Sequence, residues 1–91
     1  MFTGIIESLG RVKSINKDGS NLDFIIESEI SSALKVDQSI AHNGVCLTVV
    51  ALGDQWHKVT AVEETLVKSN LASLTPNAPI NLERCMIANG R

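Results

Sequence analysis

Residues 45–62 have the sequence VCLTVVALGDQWHKVTAV, two runs rich in β-branched residues on either side of a Gly-Asp-Gln tip. Val45 to Ala51 is almost entirely apolar, whereas Trp56 to Val62 alternates between apolar and polar residues. A period of two is typical of a strand with one buried face. A short glycine-containing tip between two such runs predicts a β-hairpin, so we expect antiparallel strands here.

The same pattern extends outward along the chain, where turn-forming residues separate other short runs. Gly10 interrupts the first of these runs and predicts a bulge or bend of the kind that closed barrels use. About six short strands with regularly spaced turns predict one all-β domain, a sandwich or a barrel. Further strands are predicted over Gly4–Ile15, Leu22–Glu27, Ser39–Ala41 and Ile80–Cys85, with helical turns over Glu29–Lys35 and Glu63–Leu74.

Composition and charge argue against several classes of partner. The chain has 91 residues, enough for one domain, and its net charge is -2 with lysines and arginines scattered singly. Nucleic acid is therefore not expected as a partner, because neutralising phosphates takes clustered cations. No apolar run approaches the length of a membrane span. The start at Met1 lacks a charged or apolar leader, which predicts a cytoplasmic protein whose Cys46 and Cys85 are reduced thiols rather than a disulfide.

Several side chains have both a chemical and a structural interpretation. Cys46 is either a thiol that lines a ligand pocket or a small buried hydrophobe. His42 and His57 are too few for a metal site, which takes three or four converging ligands, so we expect surface or hydrogen-bonded roles and no metal. The adjacent Glu63 and Glu64 are either an acid/base pair or the exposed start of a helix.

Two threonines and one phenylalanine are further candidates for ligand contacts. A hydroxyl of Thr48 or Thr60, at a barrel-facing strand position, would hydrogen-bond a polar heterocycle; the alternative is ordinary β propensity. Phe2 is one of only two phenylalanines and lies at a chain terminus. It is either a staple that closes the end of the barrel or an aromatic lid over a ligand.

Four segments of the chain resemble the riboflavin synthase family. They are MFTGIIE (1–7), SIAHNGVCLTV (39–49), ETL (64–66) with NL (70–71) following, and INLER (80–84). The segments occur in the family's order and at about its spacing. The resemblance therefore covers nearly the whole chain.

The resemblance implies a fold and an activity. Family members carry two six-stranded antiparallel Greek-key barrels with one or two short helices each, and a C-terminal helix that assembles a trimer. Each barrel binds one 6,7-dimethyl-8-ribityllumazine. Two lumazines on facing barrels dismutate to riboflavin and a pyrimidinedione, with no metal or separate cofactor. Residues 1–91 are then one lumazine-binding barrel, the N-terminal half of a two-barrel protein.

Half of a two-barrel enzyme has consequences for assembly and turnover. The isolated chain is expected to be weakly active or inactive, and to form a homodimer about a twofold axis that mimics the pairing of two barrels. A non-catalytic flavin- or lumazine-binding protein of the lumazine protein type is the alternative. The resemblance leaves the catalytic residues unassigned.

The resemblance also implies which residues contact the ligand. Backbone groups of residues 60–65 would bind the pyrimidine edge, and Thr48 the ribityl or ring polar groups. Two features depart from the family: Asp37-Gln38 replaces a glycine-containing turn, and Thr60 stands where relatives can carry Asp. The implied substrate-binding residues are Gly4, Ile5, Ile6, Cys46, Leu47, Thr48, Thr60, Ala61, Val62, Glu63, Glu64 and Thr65, with Phe2 and Thr3 near the ligand of a partner barrel.

Overall fold

A computed structural model describes residues 8–84 of the chain. Within this part, short helices connect β2 to β3 and β5 to β6, and tight turns make the other connections. None of these helices is long and apolar enough to cross a membrane. The strands are β1 (Ser8–Asp18), β2 (Asn21–Glu27), β3 (Ser39–His42), β4 (Val45–Gly53), β5 (Trp56–Ala61) and β6 (Pro79–Arg84); the helices are α1 (Glu63–Val67) and two 3₁₀ helices, Glu29–Ala33 and Leu71–Ser73.

The strands close into a barrel in the order β1-β2-β5-β4-β3-β6, and every neighbouring pair is antiparallel. Strands β3, β4 and β5 follow one another as hairpins, and β6 returns to lie beside β3. This spatial order, with the fourth strand next to the first, defines a Greek key. The prediction of a six-stranded antiparallel Greek-key barrel is confirmed.

Alternating side chains fill the inside of the barrel. On β2, Phe24 and Ile26 are buried and Leu22 is half-buried, as the pattern of that segment predicts. Val49 and Val59, from the predicted hairpin, are fully buried and pair with each other across β4 and β5. Burying large aliphatic and aromatic side chains of this kind contributes about 1.5–3 kcal/mol each, so the core provides much of the barrel's stability.

Turn chemistry fixes two of the hairpins. Asn43 and Gly44 connect β3 to β4 with φ values of 51° and 86°, the left-handed pair that a two-residue hairpin turn requires. At the other tip, Asp54 and Gln55 connect β4 to β5, and Gln55 has a φ of 60°. The predicted hairpin between β4 and β5 is therefore confirmed.

A bulge or a bend was predicted at Gly10, and the bulge lies elsewhere in β1. The register shift in β1 lies between Val12 and Ser14. Gly10 instead marks a close approach of strands, because a Cβ atom built there would lie 2.9 Å from the carbonyl oxygen of Glu27 and 2.9 Å from Cδ1 of Leu82. A glycine is needed because the barrel closes tightly around this point.

The segment predicted as helical over Glu63–Leu74 is interrupted. Helix α1 ends at Val67, and a separate 3₁₀ helix begins at Leu71. Between them the backbone N–H of Leu71 donates to the hydroxyl of Ser69 at 3.3 Å. Serine side chains compete with the helical backbone for such donors, which accounts for the break.

Candidate functional site

Cys46 and Thr48 lie on the outer face of the barrel wall. They alternate along β4 with Leu47 and Val49, whose side chains are buried in the core. Thr60 alternates in the same way with Val59 and Ala61 on β5. The expectation that the two threonine hydroxyls face the inside of the barrel is therefore wrong, because valine, leucine and alanine occupy the inward positions. The interpretation of Cys46 as a buried hydrophobe is wrong as well, since Cys46 is exposed.

Strand register aligns four polar residues into a transverse row on this outer face. Asp23 on β2 pairs with Thr60 on β5, and Ser39 on β3 pairs with Thr48 on β4. The pair Val49–Val59 joins β4 to β5 one residue away, so Thr48 and Thr60 follow each other across the two strands. We call Asp23, Thr60, Thr48 and Ser39 the polar row.

A second set of residues borders the polar row. Cys46 pairs with Ala41 on β3, and Ala41 pairs with Glu83 on β6. On the other side β5 ends at Ala61, and Val62 begins the connection into α1. Within the described residues, β4 pairs with β5 only from Val49 onward, whereas its first residues pair with β3. The polar row therefore lies where β4 and β5 separate and α1 begins.

A short hydrogen bond holds one end of the polar row. The Thr60 hydroxyl donates to Oδ1 of Asp23 at 2.7 Å, and Nζ of Lys58 lies 3.7 Å from Oδ2 of the same carboxylate. The Asp23 side chain is 16% exposed, so water reaches it only in part. This arrangement gives Asp23 two partners and fixes the direction of the Thr60 hydroxyl.

The remaining predicted contact residues differ in what they present to the surface. The side chains of Leu47 and Ala61 are buried in the core, which leaves only their backbone groups for an outer ligand. Thr65 is half-buried, whereas Val62, Glu63 and Glu64 are exposed at the start of α1. Five of the residues implied by the resemblance lie outside the described part of the chain: Phe2, Thr3, Gly4, Ile5 and Ile6.

The two adjacent glutamates belong to an exposed helix start. Glu64 accepts a hydrogen bond from Nζ of Lys68, one turn later, at 2.9 Å. The side chains of Glu64 and Lys68 are both more than 70% exposed. The first turn of a helix favours acidic side chains, which accounts for Glu63 and Glu64 without an acid/base role.

Both histidines lie inside the barrel and hydrogen-bond to each other. The Nε2 atoms of His42 and His57 are 2.9 Å apart, and both residues are fully buried. His42 Nδ1 donates to the carbonyl oxygen of Ile40 at 2.9 Å, which leaves its Nε2 to accept from His57 Nε2–H. His57 Nδ1 then accepts from the Ser31 hydroxyl at 2.7 Å, and Ser31 accepts in turn from Ser28 at 2.7 Å.

Burial keeps both rings neutral. Burial lowers the pKa of His42 from 6.5 to about 3, with the neighbouring His57 adding to the effect. Burial also lowers the pKa of His57 from 6.5 to about 4. Among residues 8–84, no three side chains of the metal-binding types converge on one point. The histidines therefore have the hydrogen-bonded structural role that was one of the two expected.

A cavity of about 510 Å³ lies near the start of β5, at the opposite end of this strand from Thr60 and the polar row. Arg11, Glu27, Glu29, Gln55 and Asn77 line part of it, near the tip of the β4–β5 hairpin. Among residues 8–84, none of the ligand-contacting residues expected from the sequence borders this cavity. The polar row lies on the outer surface of the barrel and is separate from this cavity.

Comparison with known proteins identifies relatives over the whole chain. The chain is 41% identical over 92 residues to riboflavin synthase of Bacillus subtilis (strain 168) and 40% identical to that of Bacillus amyloliquefaciens. The riboflavin synthase of Actinobacillus pleuropneumoniae is also 40% identical. Each alignment covers 100% of this chain and 43% of the relative, so the chain spans less than half the length of these proteins and matches their N-terminal part.

Solved structures show the same barrel. The crystal structure of LumP complexed with 6,7-dimethyl-8-(1'-D-ribityl) lumazine has a TM-score of 0.86 and 23% sequence identity, covering 93% of this chain and 49% of that one. LumP complexed with riboflavin also has a TM-score of 0.86 and 23% identity, covering 92% of this chain and 46% of that one. The family model described as the lumazine binding domain matches residues 3–85, and with this match the chain belongs to the lumazine binding domain family.

Proposed function

We propose that this chain is the N-terminal ligand-binding barrel of a riboflavin synthase. It binds 6,7-dimethyl-8-ribityllumazine and supplies one half-site for the dismutation of two such molecules to riboflavin and a pyrimidinedione. The observation that carries this proposal is the 40–41% identity to riboflavin synthases across the full chain. We propose residues 1–91 as one such domain, in a cytoplasmic protein.

The barrel geometry supports an outer rather than an inner ligand site. Side chains such as Phe24, Ile26 and Leu82 fill the interior, whereas the polar row offers hydroxyl and carboxylate groups on the outside. A ligand held on an outer wall has one face available to a second ligand. Dismutation needs two heterocycles held face to face, and such positioning supplies a large part of the rate enhancement in bimolecular reactions.

The residues expected to contact the ligand divide into two kinds. Thr48 and Thr60 offer hydroxyls, and Cys46 lies beside Thr48 on the same face of β4. Leu47 and Ala61 would contribute backbone groups only, because their side chains belong to the core. The resemblance assigns the remaining contacts to Val62, Glu63, Glu64 and Thr65, to Gly4, Ile5 and Ile6, and, near a partner's ligand, to Phe2 and Thr3.

A half-site requires a second barrel opposite to it. We infer that the isolated chain forms a homodimer about a twofold axis through the face that carries the polar row, and that the longer relatives form trimers. Two copies would then bring two lumazines together. The expected arrangement is isologous, as is usual for homodimers.

Riboflavin binding and lumazine turnover test the proposal together. Titrating the chain into riboflavin should quench the flavin fluorescence, and Thr48→Val should weaken this binding. Arg11→Ala is the matched control, because Arg11 lies at the other end of the barrel beside the cavity. Incubation with the lumazine should yield riboflavin slowly or not at all. Absence of binding contradicts the proposal, and turnover at the rate of a two-barrel enzyme contradicts the half-site.

A non-catalytic binding protein is the second candidate. The observation that favours it is the fold match to LumP, which was crystallised with lumazine and with riboflavin. The two candidates differ in the longer protein from which this barrel would come. A two-barrel parent that binds the lumazine and forms no riboflavin supports the binding protein over the synthase.

A further inference from the structure

We propose that Asp23 is a positioning residue of the ligand site, which acts by fixing the Thr60 hydroxyl as a hydrogen-bond acceptor toward the ligand. This inference rests on the proposed function, because it takes Thr60 as a ligand contact. It adds a residue of β2 to a site that the resemblance assigns to residues 2–6, β4, β5 and the start of α1. The ligand group that lies against the Thr60 hydroxyl is then a hydrogen-bond donor.

The geometry of the pair determines the direction of the bond. Asp23 and Thr60 are direct partners across β2 and β5, and their side-chain oxygens are 2.7 Å apart. An ionised carboxylate only accepts hydrogen bonds, and a threonine hydroxyl has a single proton. Thr60 therefore donates this proton to Asp23, which leaves only lone pairs on its oxygen. A bond to a charged acceptor is also shorter and stronger than a neutral one, so the hydroxyl is held firmly.

Lys58 holds the carboxylate in this role. Its Nζ lies 3.7 Å from Oδ2 of Asp23, on the opposite side of the carboxylate from the oxygen that Thr60 uses. The cation and the Thr60 hydroxyl therefore lie against different oxygens of the carboxylate, and Oδ1 is left to accept from Thr60. Since the Asp23 side chain is mostly buried, competition from water for the Thr60 proton is reduced.

Thr48 differs from Thr60 in this respect. Within the described residues its hydroxyl makes no side-chain hydrogen bond, so it is able to donate or to accept. The polar row thus has an acceptor-only hydroxyl next to an unrestricted one. The ligand group against the Thr60 hydroxyl must be a donor, such as a hydroxyl of a polyol chain or an imide N–H. Of the two hydroxyls, only that of Thr48 can donate to a ligand carbonyl.

A double-mutant cycle on riboflavin binding tests the inference. Dissociation constants are measured by quenching of riboflavin fluorescence for the unsubstituted chain, Asp23→Ala, Thr60→Val and the double variant. We expect each single substitution to raise Kd about 3- to 10-fold, the usual effect of one hydrogen bond. We expect Asp23→Ala to have no further effect in the Thr60→Val background, because its influence passes through the Thr60 hydroxyl.

The outcomes separate this inference from the proposed function. No riboflavin binding by the unsubstituted chain overturns the proposed function. Binding that Asp23→Ala leaves unchanged, or weakens by the same factor in both backgrounds, overturns the inference alone. Thr60→Ser keeps the hydroxyl and should bind like the unsubstituted chain. If Asp23→Ala does not fold, Asp23→Asn completes the cycle, since it keeps an acceptor oxygen but removes the charge, and its weaker effect must also vanish with Thr60→Val.

Discussion

Acid should destabilise the barrel through its two buried histidines. His42 and His57 are the only histidines of the chain, and both are neutral in the folded state. Burial lowers their pKa values from 6.5 to about 3 and about 4. As the pH falls below 6.5 the unfolded chain takes up a proton on each ring, and the folded barrel does not. The stability is therefore complete above pH 6.5 and is lost as the pH falls toward the folded pKa values.

The size of the loss follows from the unfolded state. At about pH 5 both folded pKa values still lie below the pH. The pH then lies about 1.5 units below the unfolded pKa of 6.5, so at 1.36 kcal/mol per unit each histidine lowers the free energy of unfolding by about 2 kcal/mol. The two together remove about 4 kcal/mol between about pH 8 and about pH 5, with a slope near 2.7 kcal/mol per pH unit at the acid end. A small domain has roughly 5–15 kcal/mol in total, so the barrel becomes only marginally stable.

Urea unfolding at a series of pH values measures this slope. Trp56 is the single tryptophan and reports on unfolding by fluorescence. The variant His57→Gln keeps an amide donor toward His42 and removes one titrating ring, so its slope should fall by half, to about 1.4 kcal/mol per pH unit. A flat stability between about pH 7 and about pH 5, or an unchanged slope in His57→Gln, would refute the assignment of acid sensitivity to the histidines.

Three further substitutions test the packing and the surface. Gly10→Ala should cost about 1–3 kcal/mol in urea unfolding, since the added methyl meets the carbonyl oxygen of Glu27 at 2.9 Å; an unchanged midpoint would contradict the close approach. Gly53→Ala should displace the indole of Trp56, whose ring occupies the position of the added Cβ, and a shift of the native tryptophan emission checks this. Lys68→Ala should change stability by less than about 0.5 kcal/mol, because its ion pair is exposed; a larger loss in the same unfolding assay would give that pair an unexpected role.

The strands were predictable because their signal is local. Alternation with a period of two is visible within six or seven residues, as in the segment that carries Phe24 and Ile26. The Asn43-Gly44 turn is equally local, since two adjacent residues supply the required left-handed backbone. Such features depend on neighbours in the chain, and neighbours are what a sequence displays directly.

The face on which the site lies was not predictable in the same way. Alternation divides β4 into two sets of residues, but it does not say which set meets the core when both contain apolar side chains. Val50 is 47% exposed although it stands in the most apolar strand, whereas Val49 beside it is fully buried. Thr48 lies on the outside because Leu47 and Val49 pack into the closed barrel, and this depends on all six strands together.

Contacts between residues that are far apart in the sequence could not be predicted from local sequence patterns. Asp23 and Thr60 are 37 residues apart in sequence, and neither stands in a motif that points to the other. His42 and His57 lie on β3 and β5, which are not adjacent strands, and they meet only across the barrel interior. Pairings of this kind depend on strand order and register together.

Because side chains alternate along β4, one residue packs in the core and the next faces the ligand site. A systematic substitution of residues 45–50, where buried and exposed side chains alternate, should give two interleaved profiles, one of unfolding free energy and one of ligand affinity. Each should peak where the other is low. Residues such as Cys46 and Thr48 can then vary among relatives, and under laboratory selection, without endangering the fold. Because the inner face of the strand stabilises the fold and the outer face contacts the ligand, one barrel can acquire new ligands while its folding stays the same.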